Sequence, residues 1–380
     1  MKGTASTMTA WMRLEASARA WKRGSYDEVI VLTTDAIGDG MLTPEYGAIA
    51  HYQRGLAYNR KGLHDEAMLD FSEAIRLNPE FARAYYQRGY LARQAGQDEL
   101  AIADYDCAIQ FDPQLVHAYI NRGVLRIDQG LYYQALQDFH KAIRLDPTRA
   151  RIYSDRGCAY YGSGHYDRAL EDFDQALRLD PNYVVAHLHR GHVHCARGNY
   201  AGAIEAYSAA VRVDRGFALG WKNRAHVYFF EGRFEDAAAD YAAYVELCPH
   251  DASAVMLGYL ASVRSGIDSV DSRTELARHA RALDLNGWPG AAIAMFLGEA
   301  EPEAVLAQAS GDSESVKNDG RHLGFFYVGQ YYLLQANTVG AVEMFRVALL
   351  DGARDCFEYE LAGAELDRLS VRVLVPRARR

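Results

Sequence analysis

The chain has 380 residues and 49% of them are hydrophobic, ample for a continuous core, which excludes a chain that is disordered throughout. Its 41 basic and 50 acidic residues leave a net charge of -9, which argues against a nucleic-acid partner because phosphate-backbone affinity comes largely from counterion release by Lys and Arg. Five cysteines, Cys107, Cys158, Cys195, Cys248 and Cys356, contain no C-x-x-C pair for zinc or redox work and fit a reducing compartment.

The first segment, Met1 to Trp21, carries Arg13, Glu15 and Arg19 where a signal peptide needs its apolar core. No stretch approaches the length of a membrane-spanning helix. Together these predict a cytoplasmic protein with no membrane partner. Residues 10–37 form a weakened helix pair marked by Ser17, Gly24, Tyr26 and Ala36, and residues 1–43 are predicted to form an N-terminal cap. A link from Asp35 to Pro44, with Gly38 and Gly40, is predicted between this cap and the next helices.

From residue 44 to 251 the chain repeats itself. Gly55, Gly89, Gly123, Gly157 and Gly191 stand 34 residues apart, and Ala225 takes the sixth place. Such a period marks stacked supersecondary units. Twelve residues past each comes Ala67, Ala101, Ala135, Ala169, Ala203 or Ala237, followed by Phe71, Tyr105, Phe139, Phe173, Tyr207 or Tyr241. Pro79, Pro113, Pro147, Pro181 and Pro249 halt the second helices, and intervening glycines such as Gly62 and Gly96 supply the turn. A recurring Gly inside a helix costs roughly 1 kcal/mol against Ala, and close approach of two helices is the reason to keep it. Arg54, Arg88, Arg122, Arg156 and Arg224 share a unit with Asp70, Asp104, Asp138, Asp172 and Asp240, which predicts a structural ladder of ion pairs. In the fifth unit Ala206 replaces the Asp, leaving Arg190 solvent-exposed, paired with a neighbouring unit, or available to a ligand.

This pattern resembles the tetratricopeptide-repeat family over residues 48–251. The resemblance implies an all-α, right-handed superhelical solenoid of antiparallel helix pairs, a scaffold or adaptor, and a partner that is a protein or peptide. In the family the first helix of each unit lines the concave face. Carried over, that places Tyr86, Tyr90, Asn121, Val124, Asp155, Cys158, His189, His192, Lys222, Asn223 and His226 on a groove spanning residues 82–230. Family members that clamp a chaperone's terminal carboxylate use Lys and Asn where this chain has Tyr52 and Leu56, so that mode is not expected.

Beyond Pro249 the register decays. Residues 252–319 read as a divergent helical region, with a loop from Ser265 to Ser272, two or three short helices over 274–310, and a polar exposed loop from Ser310 to Gly320. A unit returns over 320–370, where Gly329, Tyr332, Ala341, Phe345 and Ala348 keep the spacing and residues 355–369 add a last helix. Residues 371–380 form a basic tail. This arrangement, with Phe357 to Glu360 and Ala362 to Leu369, looks somewhat like bacterial NlpI-type repeat adaptors, which would imply presentation of client proteins.

No phosphate-binding Gly loop, Gly-x-Ser-x-Gly elbow or HExxH stands in the sequence, so no enzyme, cofactor or metal is expected. His189 and His192 lie at i and i+3 with His226 one unit on, which makes a metal- or pH-responsive regulator the alternative function. His187 and His194 sit where other units place packing aromatics. A third reading is a self-associating arm formed by the divergent C-terminal part.

Overall fold

A computed structural model of the chain describes residues 2–286, 288–309, 321–351 and 357–369. The described residues form 21 α-helices and no strand. They fall into two compact units, one reaching to Tyr183 and the other beginning at Val184. The predicted loop Ser310–Gly320 and the basic tail lie outside the described residues.

The N-terminal unit contains α1 (Lys2–Lys22), α2 (Tyr26–Gly38), α3 (Pro44–Arg60), α4 (His64–Leu77), α5 (Ala82–Gln94), α6 (Asp98–Phe111), α7 (Val116–Asp128), α8 (Tyr132–Leu145), α9 (Ala150–Gly162) and α10 (Tyr166–Leu179). Each odd-numbered helix pairs with the even one after it, and each pair packs on the next. The first pair, α1 and α2, packs with both helices against α3. Its link is shorter than the sequence suggested, because α2 runs on through Gly38. Thr43 and Pro44 then start α3, with the Thr43 hydroxyl accepting from the Tyr46 amide at 3.4 Å.

Local sequence explains the pairs. In α10 the buried residues Ala169, Asp172, Phe173 and Ala176 fall at i, i+3, i+4 and i+7, the stripe that one helix face presents. Gly62 and Gly96 turn the chain between helices at φ of 77° and 71°, a region costly to any residue with a side chain. Gly157 lets α9 lie directly on the Phe173 ring, where a Cβ would stand 2.8 Å from Cε1.

The predicted ladder is present in all five units. Arg54, Arg88, Arg122, Arg156 and Arg224 each donate Nε and Nη2 to the two carboxylate oxygens of the Asp sixteen residues on, at 2.5–3.1 Å. Such fork-to-fork pairs are the strong geometry for a guanidinium and a carboxylate. The third nitrogen reaches the preceding pair: Arg88 Nη1 donates to Ser72 at 3.2 Å, Arg122 Nη1 to Asp106 at 2.5 Å and Arg224 Nη1 to Ser208 at 2.8 Å. One side chain thus ties three helices. The aromatic three residues earlier, Tyr85, Tyr119, Tyr153 or Trp221, lies 5.1–5.8 Å from the guanidinium carbon.

The C-terminal unit contains α11 (Val184–Ala196), α12 (Tyr200–Val213), α13 (Ala218–Glu231), α14 (Phe234–Leu247), α15 (Ala252–Arg264), α16 (Ser269–Ala280), α17 (Gly290–Leu297), α18 (Pro302–Ala309), α19 (Arg321–Leu334), α20 (Thr338–Asp351) and α21 (Phe357–Arg368). The predicted loop Ser265–Ser272 is half as long as expected. Asp268 caps α16, its carboxylate accepting the Val270 amide at 2.8 Å, so Ser269 is already helical. Whereas the N-terminal unit is built from small successive cores, here one apolar core runs from Ala225 to Leu366 and draws on every helix from α13 onward.

Candidate functional site

First helices form the candidate face. In the N-terminal unit α1 touches α3 and α7 touches α9, so side chains one repeat apart meet. Asn121 Nδ2 donates to the Tyr86 hydroxyl at 3.3 Å. That fixes the amide and leaves Asn121 buried, while Tyr90 stays 37% exposed and accepts from Gln94 Nε2 at 3.1 Å. Val124 is half-buried against the core of α7 to α9. Asp155 pairs with Arg151 at 3.3 Å. Burial, only partly countered by that arginine, pushes the Asp155 carboxyl up to about 6. Burial and the neighbouring Asp155 drive the Cys158 thiol up to about 12, so it stays protonated and unreactive.

Two hollows open on this unit. One of about 480 Å³ is lined mainly by apolar groups, including Trp21, Val29, Tyr52, Leu56 and Phe81. It shares Trp21, Tyr52 and Leu56 with a more polar one of about 650 Å³, where Tyr86 and Tyr90 stand beside Gln87 and Gln94. The two tyrosines named from the sequence therefore line a cavity. Its apolar part was missed, because Tyr52 and Leu56 stand out only as departures from the carboxylate-clamp pattern, and Trp21 belongs to a cap with no clear repeat signature.

In the C-terminal unit Lys222 and His226 are engaged by later helices, while His189, His192 and Asn223 contact one another. Lys222 Nζ donates to Asp251 Oδ2 at 2.6 Å and lies 5.4 Å from the Tyr244 ring centre. Asp251 also caps α15 through the Ala254 amide at 3.1 Å. Asn223 Nδ2 and His192 Nε2 are 3.2 Å apart, and the His189 and His192 rings meet edge-on at 5.6 Å. His226 stacks on Phe357 of α21, ring centres 3.8 Å apart and planes 10° from parallel, with its Nε2 buried and unbonded. Burial, helped by His189, lowers His192 to about 4, and burial, helped by Lys222, lowers His226 to about 3. Both are neutral near pH 7 and take up a proton only in more acidic solution than a free imidazole does. Among the described residues no group of three or more His, Cys, Asp or Glu is arranged to hold a metal ion.

The models of the tetratricopeptide repeat match residues 48–81, 82–115, 116–149, 154–218 and 188–252, together more than half of the chain. This chain is a tetratricopeptide-repeat protein. No curated protein matches it. Among solved structures, a tetratricopeptide repeat protein from Parabacteroides merdae is 19% identical with a TM-score of 0.53, the match covering 67% of this chain and 99% of that one. The C-terminal part of a TPR repeat-containing protein from Cytophaga hutchinsonii is 20% identical with a TM-score of 0.51, over 64% of this chain and 98% of that one. At these identities the likeness concerns the fold alone, an all-α repeat solenoid.

One departure sets this TPR protein's C-terminal unit apart from its own N-terminal repeats. Helix α21 lies against α13, α19 and α20, so part of the first-helix face is covered by the chain itself. Glu358 accepts from Ser253 at 2.5 Å and from Tyr327 at 3.1 Å. Glu365, buried, pairs with Arg264 and, at 2.7 Å, with Arg368, and Gln330 Nε2 donates to it at 3.1 Å. Arg368 Nη2 donates to the Phe229 and Phe230 carbonyls at 2.8 and 2.5 Å. With Leu361, Ala362 and Leu366 fully buried, α21 is a core element. Among the described residues no helix is long and apolar enough to cross a membrane.

Proposed function

We propose that this repeat protein is a non-catalytic adaptor that holds a peptide or helix of a partner protein on the first-helix face of its N-terminal unit. The observation that carries the reading is the pair of adjoining hollows there, large enough for side chains and lined by Tyr52, Leu56, Tyr86 and Tyr90. Tyrosine offers wide contact area at small entropic loss, and an apolar cleft with a few fixed polar groups is how peptide grooves gain both affinity and direction. In the C-terminal unit, by contrast, α21 bonds side chains of α15 and α19 and two backbone carbonyls of α13 and covers His226, which favours a working surface on the N-terminal repeats. His189, His192, Lys222, Asn223 and His226 then keep a structural role, and the adaptor is assigned to the cytoplasm.

The test is a selection of displayed random peptides on the purified full chain, followed by fluorescence anisotropy of the selected peptide with native protein and with Tyr90→Ala and Asn121→Ala variants whose helicity is unchanged. Weakening of about tenfold, near 1.4 kcal/mol, is expected for each. Failure of any peptide to enrich, or equal affinity for native and variant proteins, refutes the reading.

A further inference from the structure

The charge around the two hollows differs from that of the rest of the chain. The sequence carries 50 Asp and Glu residues against 41 Lys and Arg, yet no carboxylate lines either hollow. Lys22 and Arg83 line the first, and Arg60 and His64 the second. Lys22, Arg60 and Arg83 are exposed, and none forms an ion pair among the described residues, whereas the ladder arginines are all paired. Arg60 lies 5.9 Å from the Trp21 ring centre, which sets its guanidinium at the edge of the apolar floor. An apolar cleft ringed by cations that form no ion pair among the described residues, in a chain of net charge -9, favours a ligand of opposite sign.

We infer that this cleft takes a short acidic peptide segment, with one bulky apolar side chain seated between Trp21, Leu56 and Phe81 and flanking Asp or Glu side chains reaching Lys22, Arg60 and Arg83. This assignment rests on the peptide-capture reading above and specifies its partner. The size fits, since about 480 Å³ lies within the roughly 300–1,000 Å³ of ordinary ligand clefts. Recognition runs through side-chain carboxylates along the segment and does not need a chain terminus, because Tyr52 and Leu56 supply no cationic fork at the base of the cleft. The flanking charges sit at a wet rim, so they add selectivity and association rate more than depth of binding.

The same peptide selection on the full chain decides it. Enriched sequences are expected to pair an aromatic or long aliphatic residue with at least two neighbouring carboxylates. A synthetic peptide of the most enriched sequence should bind a Lys22→Glu/Arg83→Glu variant at least tenfold more weakly, and should lose affinity for native protein as NaCl is raised. Both substitutions are at exposed positions, and circular dichroism verifies that the variant is folded. Enriched peptides without acidic excess, or acidic peptides that bind the charge-reversed variant equally well, overturn the inference while leaving peptide capture intact. An absence of any enriched peptide overturns peptide capture itself.

Discussion

Replacing Asp155 with Asn should make the protein more stable at neutral pH and leave it unchanged in acid. Burial raises the folded-state pKa of Asp155 from 3.8 to about 6, so the native state holds its proton more tightly than the unfolded chain does. Between about pH 4 and pH 6 the unfolded state therefore binds fewer protons, and stability falls as pH rises through that window. Above it the whole penalty applies, roughly 3 kcal/mol if no solvent screened it. A fifth of the side chain remains accessible, and solvent screening reduces the expected gain from Asn to about 1 kcal/mol. For a unit of this size that corresponds to a rise in Tm of about 2–4 °C. Thermal and urea denaturation of both proteins at pH 4.0 and pH 7.5 measure it. A gain of equal size at both pH values, or a loss at pH 7.5, would refute the account of Asp155 as a carboxyl held against its preference.

The ladder and the packing give further expectations. Arg88→Ala leaves the buried Asp104 without its guanidinium and should cost about 3 kcal/mol in urea denaturation, whereas Arg88→Met combined with Asp104→Leu should recover most of the loss. Gly157→Ala drives a Cβ to 2.8 Å from the Phe173 ring and should destabilise by about 1–2 kcal/mol, despite the better helix propensity of Ala. Gly363→Ala in α21 meets no atom within 4 Å and should instead stabilise by about 0.5–1 kcal/mol. Phe357→Ala should uncover His226, whose lowered pKa removes stability as pH falls from 6.5 towards about 3. An NMR titration should then find its pKa moved up towards 6.5, and a value still near 3 would mean that Phe357 is not what shields it.

How much was legible in the sequence depends on how far apart the interacting residues lie. The helix pairs, the turn glycines and the Arg–Asp ladder repeat at fixed short separations, so each is written several times over and a single chain suffices to read them. Tyr86 and Asn121 lie 35 positions apart on successive first helices, and their contact results from the stacking of those helices. Lys222 with Asp251 occurs once, and no period announces that an apparent groove lysine will bond the cap of α15. The stacking of Phe357 on His226 is harder still to foresee. A final helix was expected there, but its landing place depends on how α15 to α20 turn the chain, which no local pattern encodes. The Trp21 hollow was hidden for a related reason: the cap departs from the repeat consensus, and the consensus was what made neighbouring positions readable.

The placement of α21 has a consequence for how the protein is made. Each N-terminal repeat closes on residues synthesised just before it, so successive pairs can settle while translation continues. The C-terminal unit cannot do this, because Arg368 bonds the Phe229 carbonyl across 139 positions and Leu366 belongs to the same core as Ala225. Until that last helix emerges, Phe229, Arg264 and Tyr327 lack their final partners, and a nascent chain would show a finished N-terminal half tethered to a half still waiting to close. A ribosome stalled shortly before residue 357 should therefore yield a product whose first half resists protease and whose second half does not.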